Sequence, residues 1–91
     1  MKKPGLYRKK PITIQALQFD IENVSDMLNF IGEFPHKYVH DEGIIIIHTL
    51  EGEHNVRHGD YVIKGIYDEF YPVKPDIFVD SYERIELDTF A

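Results

Sequence analysis

The segment "GDYVIKGIYDEFYPVKPDIF", residues 59–78, decides the fold because it has the pattern of two short strands joined by a turn. A Gly-Asp turn signal precedes an apolar run, 61–66, whose side chains alternate between two faces as in a β-strand. Gly65 has no side chain, so we expect another segment or side chain to approach it closely. Pro72 and Pro75 restrict the backbone where the second strand ends. The segment therefore predicts a β-hairpin with a stiff exit.

Upstream of this hairpin, residues 23–32 change to a helical period. Their apolar residues recur at the spacing of one helix face. These residues are Val24, Met27, Leu28 and Ile31. Asn23 is a favourable N-cap residue and Gly32 is placed to end the helix. A helix of this length is marginal alone, so we expect it to pack on a sheet.

The remaining segments have strand patterns. Strands are predicted for 11–19, 36–40, 43–51, 54–58, 61–66 and 70–73, with a last strand at 82–87. Residues 43–51 are β-branched and apolar on both faces, which predicts a central strand. Pro75 excludes a central strand after the hairpin, and Asp76 is predicted to cap one helical turn there. The predicted fold class is α+β: a small, mostly antiparallel sheet, either a meander or a partly closed barrel, with one short helix packed on it.

Length and composition limit the chain to one small domain. Its 91 residues leave room for one hydrophobic core, so we predict a single domain over residues 1–91. The chain has no cysteine, which fits a reducing compartment. No apolar run is long enough to cross a membrane, and the N-terminus lacks the apolar stretch of a secretion signal. These features predict a cytoplasmic protein.

Charge is divided unevenly along the chain. Residues 1–10 form a basic arm that contains five lysine and arginine residues and no acid. The rest of the chain carries five basic and sixteen acidic residues, a net charge of −11. An acidic body repels phosphate backbones, which argues against nucleic-acid binding. The arm either contacts a phosphate or is a solvated segment that reduces repulsion within the body.

The sequence predicts no catalytic site, metal site or cofactor. Neither serine lies in a nucleophile elbow, and no glycine-rich phosphate loop is present. Two histidine pairs with a spacing of four, His36 with His40 and His54 with His58, are geometrically compatible with a metal site in strands. They border turns, however, where histidines are common at the surface. We therefore predict that the protein is not an enzyme.

Aromatic residues and lysines crowd together in residues 61–82. Such a group can stack on a planar ligand and hold its phosphate or carboxylate. The candidate ligand-binding residues are Arg8, Lys64, Tyr67, Tyr71 and Lys74. The alternative places the rings in a core or dimer interface and the lysines in solvent.

Two motifs give the chain a resemblance to a family of small phage and prophage proteins. The first is "YRKKPITIQALQF" (7–19), and the second is "LEGEHNVRHGDYVIKGIYDEFYPVKPDIFVDSYE" (50–83). Members share an N-terminal Y-R-K-K-P segment and a C-terminal G-D-[YW]-[IV]-I-K-G…E-F-Y-P-x-K-P-D-I-F…Y-E signature. Members often carry cysteine where this chain has Val73, which argues against a thiol role here. The family is generally uncharacterised, so the resemblance implies no catalytic residues.

The resemblance implies a phage-encoded accessory protein that acts inside a bacterium. We therefore predict a non-catalytic binding protein, a homo-oligomer, that acts in counter-defence by sequestering a phosphorylated nucleotide signal. The alternative is a protein–protein inhibitor that covers a host factor with its acidic surface. Neither a nucleic-acid nor a membrane partner is predicted.

Overall fold

The computed structural model describes residues 2–85. In chain order its elements are β1 (Gln15–Gln18), α1 (Val24–Ile31), β2 (His36–Val39), a 3₁₀-helix (His40–Glu42), β3 (Ile44–Thr49), β4 (Gly52–Val56), β5 (Tyr61–Lys64), β6 (Phe70–Val73) and α2 (Pro75–Ser81). The strands form two three-stranded antiparallel sheets. Between residues 2 and 85, no helix combines the length and apolar character that a membrane crossing needs.

The first sheet has the order β1-β5-β6, so the N-terminal strand pairs with a segment far along the chain. Gln15 lies opposite Lys64 in this pairing, and Lys64 lies opposite Phe70 in the hairpin. Because strand side chains alternate, Leu17, Val62 and Phe70 share one face, whereas Ala16, Ile63 and Tyr71 share the other. The second sheet is the meander β2-β3-β4 with β3 in its centre.

The hydrophobic core lies between the two sheets and α1. Met27 and Ile31 of α1 are almost fully buried against Ile45 and Ile47 of β3 and Val62 of β5. Burying one such side chain contributes about 1.5–3 kcal/mol relative to leaving it exposed. One shared cluster therefore holds the sheets and the helix together, which also explains why so short a helix is stable.

The opposite face of the first sheet is covered by α2. Phe78 stacks on Tyr61 with ring centroids 3.9 Å apart, and Tyr82 continues the stack at 5.0 Å from Phe78. Ile63 beneath this layer is fully buried. Pro75 occupies the first turn of the helix, where its missing N–H costs nothing.

The structure confirms the predicted α+β class and the antiparallel pairing. Within residues 2–85 the strands form two sheets that do not close into a barrel, and the helical turn predicted after Pro75 is a second helix, α2. β3 is central, as its apolar faces predicted, and α1 matches the predicted helix over all but its end residues.

Some predicted details were wrong. The first strand spans only 15–18, because residues 11–14 extend past Lys64, where β5 ends and offers no partner. Asn23 is at the N-cap position but makes no side-chain cap bond. Asp76 is likewise not the cap of α2, which begins after Lys74. Of the last predicted strand, 82–87, residues 82–85 are not in a strand, and 86–87 lie outside the described residues.

Candidate ligand-binding cleft

The turn between β5 and β6, residues 65–69, is held in shape by Glu69. The main-chain oxygen of Glu69 accepts a bond from Gly65 N–H at 2.8 Å, and its Oε1 accepts one from Tyr67 N–H at 3.0 Å. The carboxylate lies against Gly65, where an added β-carbon would overlap it, which confirms the predicted close approach. Asp68 has a left-handed backbone (φ 61°), an unfavourable conformation for a residue with a side chain. The turn presents the Tyr67 ring at its tip, 82% exposed.

An open cleft of about 380 Å³ lies between this turn, the basic arm and the end of α2. Small-molecule sites in proteins start at about 300 Å³, so the cleft is large enough for a small ligand. Its charged and aromatic lining residues are Lys9, Lys10, Tyr67, Glu69, Tyr71 and Tyr82. The cleft thus combines two cations, one carboxylate and three phenol rings.

Tyr71 forms the floor of the cleft on β6. Partial burial raises the pKa of the Tyr71 phenol above its usual 10.0, and the nearby Tyr82 and Glu69 raise it further because each disfavours a second negative charge. A hydrogen bond between the Tyr71 and Tyr82 side chains adds to the shift. Tyr71 is therefore a neutral phenol at physiological pH, and it contributes a ring and a hydroxyl to the cleft.

The basic arm reaches the cleft through Lys9. The Lys9 ammonium lies 5.9 Å from the centre of the Tyr82 ring, a cation–π geometry worth about 0.5–1 kcal/mol at an exposed site. Residues 2–13 are exposed, and within the described chain residues 2–14 make no hydrogen bond to the body. The arm is therefore held near the cleft by weak contacts and can adapt to a ligand.

The structure brings only part of the predicted site together. Tyr67 and Tyr71 line the same cleft. Lys64 is on the other face of the sheet from Tyr71 by strand alternation, and its ammonium lies 3.7 Å from Asp68 Oδ1. Arg8 is exposed in the arm next to Lys9 but does not line the cleft.

Lys74 lies at the opposite end of β6 and has a structural partner. Its ammonium is 3.3 Å from Oδ2 and 3.4 Å from Oδ1 of Asp60, which is only 4% exposed. Oδ2 of Asp60 also accepts a hydrogen bond from Arg57 N–H at 2.9 Å. This geometry makes Lys74 the counter-ion of a buried carboxylate.

Sequence reasoning missed Lys9, Lys10, Glu69 and Tyr82 as lining residues. The adjacent lysines of the arm were visible as cations, but nothing local places them beside residues 65–71. Gly65 was the sequence signal for Glu69. A glycine leaves room for a neighbouring side chain, and the Glu69 side chain, four residues later, folds back over the turn into that space.

The histidine pairs do not form a metal cluster in the described part of the chain. No group of three or more histidine and carboxylate side chains in residues 2–85 has the arrangement of a metal site. His36 Nδ1 instead donates a hydrogen bond to the Phe34 carbonyl at 2.6 Å, and His58 Nδ1 accepts one from Ile21 N–H at 3.2 Å. The first bond ties His36 to the segment just before it, and the second ties His58 to the backbone of Ile21, 37 residues earlier in the chain.

Comparisons with known proteins do not assign the chain to a family. No protein-family model matches the chain, and no curated protein or solved structure matches it either. The resemblance to small phage proteins stays a prediction from the quoted motifs.

Proposed function

We propose that this chain is a non-catalytic binding protein that holds a small phosphorylated nucleotide in the cleft between the arm and the 65–69 turn. The observation that carries the proposal is the placement of Lys9 and Lys10 on the same cleft as the exposed Tyr67 ring. In a more specific form of this proposal, the protein is phage-encoded and sequesters a nucleotide signal of bacterial immunity in the host cytoplasm. That form is supported by the sequence resemblance.

The nucleobase stacks on Tyr67. This ring is 82% exposed at the tip of a turn that Glu69 fixes, so it is available and its position is restrained. Stacking of one base on an aromatic side chain contributes about 1–3 kcal/mol and is tolerant of base identity. Tyr71 and Tyr82, which are both half-buried, provide a second wall.

The phosphates bind at the arm side of the cleft. Lys9 and Lys10 supply two cations there, and Arg8 is the next residue along the arm. The carboxylate of Glu69 at the turn repels phosphate, so the ligand lies with its base toward the turn and its phosphates toward the arm. An exposed basic arm that closes over the phosphates fits sequestration, because it slows release of the ligand.

The chemistry of the lining favours binding over catalysis. Ser81 is the one aliphatic hydroxyl in the lining, and no histidine from the described residues lines the cleft. A neutral phenol such as Tyr71 is a hydrogen-bond donor and a weak base at physiological pH. The lining thus suits recognition.

Isothermal titration with a panel of cyclic nucleotides and ADP-ribose tests the proposal. Binding by at least one member is expected, and K9A/K10A or Y67A weakens it about tenfold or more. Matched controls are K2A/K3A, with the same change in charge on the same arm, and Y7A, which removes another highly exposed ring (94%) that does not line the cleft. Absence of heat with every nucleotide, or equal losses in the controls, would refute the proposed site.

The second candidate, inhibition of a host protein, is favoured by the net charge of −11 outside the arm. It predicts capture of a basic host protein in a pull-down, with a complex that weakens steeply as salt increases. The cleft variants K9A/K10A and Y67A leave this complex intact, which separates the two candidates.

A further inference from the structure

β1 lies at an open edge of the first sheet. Phe19 N–H donates to the Asp60 carbonyl at 2.8 Å, so the odd-numbered residues of this strand point their backbone groups toward β5. Ala16 and Gln18 consequently direct their N–H and C=O groups away from the sheet. Within residues 2–85 no backbone partner reaches those groups.

The other sheet edges carry features that discourage pairing with a further chain. β6 contains Pro72, which has no N–H to offer. β2 carries Lys37 and β4 carries Glu53, both exposed charges. The segment around β1, residues 12–19, has no charged residue at all. β1 is thus the least protected sheet edge in the described chain.

We infer that β1 pairs antiparallel with β1 of a second copy of this chain, with Ala16 at the two-fold axis. The outward groups of Ala16 then bond to those of Ala16 in the other copy, and Ile14 lies opposite Gln18. Pro11 is compatible with this register because its missing N–H belongs to an odd-numbered position that faces the other way.

Charge complementarity selects a second copy as the occupant of this edge. The antiparallel arrangement brings the arm, which precedes β1 in one copy, to the end of β1 in the other copy, where the turn after Phe19 carries Asp20 and Glu22, and this contact occurs twice in a symmetric dimer. More generally, it runs the exposed basic arm of one copy along the segment that carries Asp20, Glu22 and Asp26 of the other. The arm, which has no hydrogen bond to its own body, gains an acidic surface to contact.

Native mass spectrometry and light scattering of the full chain at increasing concentration test this inference. The wild type is expected to be a dimer. A16P removes an outward N–H without affecting the ladder to β5, and is expected to be a folded monomer by circular dichroism. E22K is expected to weaken the dimer about tenfold, because in each of the two symmetric contacts it places an ammonium where a carboxylate faced the basic arm. The double variant K10E/E22K restores opposite charges at this contact and is expected to recover the dimer.

The control is E33K, which reverses an exposed charge outside the proposed contact and should leave the dimer unchanged. A monomeric wild type, a dimer that survives A16P, or equal effects of E22K and E33K would each overturn the inference. If A16P does not fold, loss of the dimer in E22K and its return in K10E/E22K decide the question. Ala16 and Glu22 do not line the ligand cleft, so A16P and E22K test the dimer independently of the proposed function; Lys10 does line the cleft, so K10E/E22K is assessed by its oligomeric state alone.

Discussion

The ion pair between Lys74 and Asp60 gives the most direct test of which residues belong to the ligand site. If Lys74 is the counter-ion of a buried carboxylate, replacing it should change stability and leave ligand binding intact. If Lys74 binds ligand, replacing it should weaken ligand binding and leave stability unchanged. Lys74→Met is the preferred substitution because it removes the ammonium and keeps the aliphatic stem.

The magnitude follows from the contacts of Asp60. Its carboxylate is 4% exposed and accepts bonds from Arg57 N–H and the Lys74 ammonium. Asp60→Ala removes both and should lower the free energy of unfolding by about 2–3 kcal/mol, or about 10 °C or more in Tm. Because 57% of the Lys74 side chain is exposed, solvent screens the pair and Lys74→Met should cost about 1 kcal/mol.

Urea denaturation followed by circular dichroism measures these differences. The double variant D60A/K74M should cost less than the sum of the single variants, because the two side chains interact. Lys64→Met is the matched control, since its ammonium pairs with the exposed Asp68 and should contribute less than about 0.5 kcal/mol. Additive effects, or a loss of nucleotide binding in K74M at unchanged stability, would refute the structural role of Lys74.

Three further predictions concern the cleft and the core. Tyr71 has a raised pKa, so the folded state holds the phenol proton more tightly than the unfolded state. The stability that this proton contributes is complete below pH 10.0 and is lost as pH rises through the folded-state pKa. This loss should be smaller in Y71F when the free energy of unfolding is measured at pH values on both sides of 10.0. Gly65→Ala displaces the Glu69 carboxylate and should cost about 1 kcal/mol in urea denaturation, whereas the same change in an E69A background should cost nothing; equal costs in both backgrounds would contradict the contact. Ile45→Val removes a methyl group from a fully buried site and should cost about 1 kcal/mol, against almost none for Ile12→Val, which is 48% exposed, so similar values would argue against the assigned core.

The sequence predicted elements whose signal is local. The apolar spacing of α1 and the β-branched run of β3 identify both elements because each period reflects one buried face. The pairing of β1 with β5 was not predictable in this way. It joins residues that are more than forty positions apart and depends on which strands share the core.

The candidate site was predictable only in part for the same reason. Tyr67 and Tyr71 lie close together because one hairpin carries both. The arm lysines reach this hairpin through the path of the whole chain, and the partner of Lys74 lies fourteen residues earlier in a different turn. The two prolines around Lys74 restrict its backbone, but they do not determine whether its side chain contacts a ligand or another residue of the protein.

The stack of Tyr61, Phe78 and Tyr82 has a practical consequence. The chain has six tyrosines and no tryptophan, so tyrosine emission is not masked by a stronger fluorophore. Tyr82, at one end of the stack, lines the cleft, and Tyr61, at the other end, lies in β5. A molecule that enters beside Tyr82 alters the surroundings of coupled rings, and near-ultraviolet dichroism and intrinsic emission become label-free reporters of its arrival.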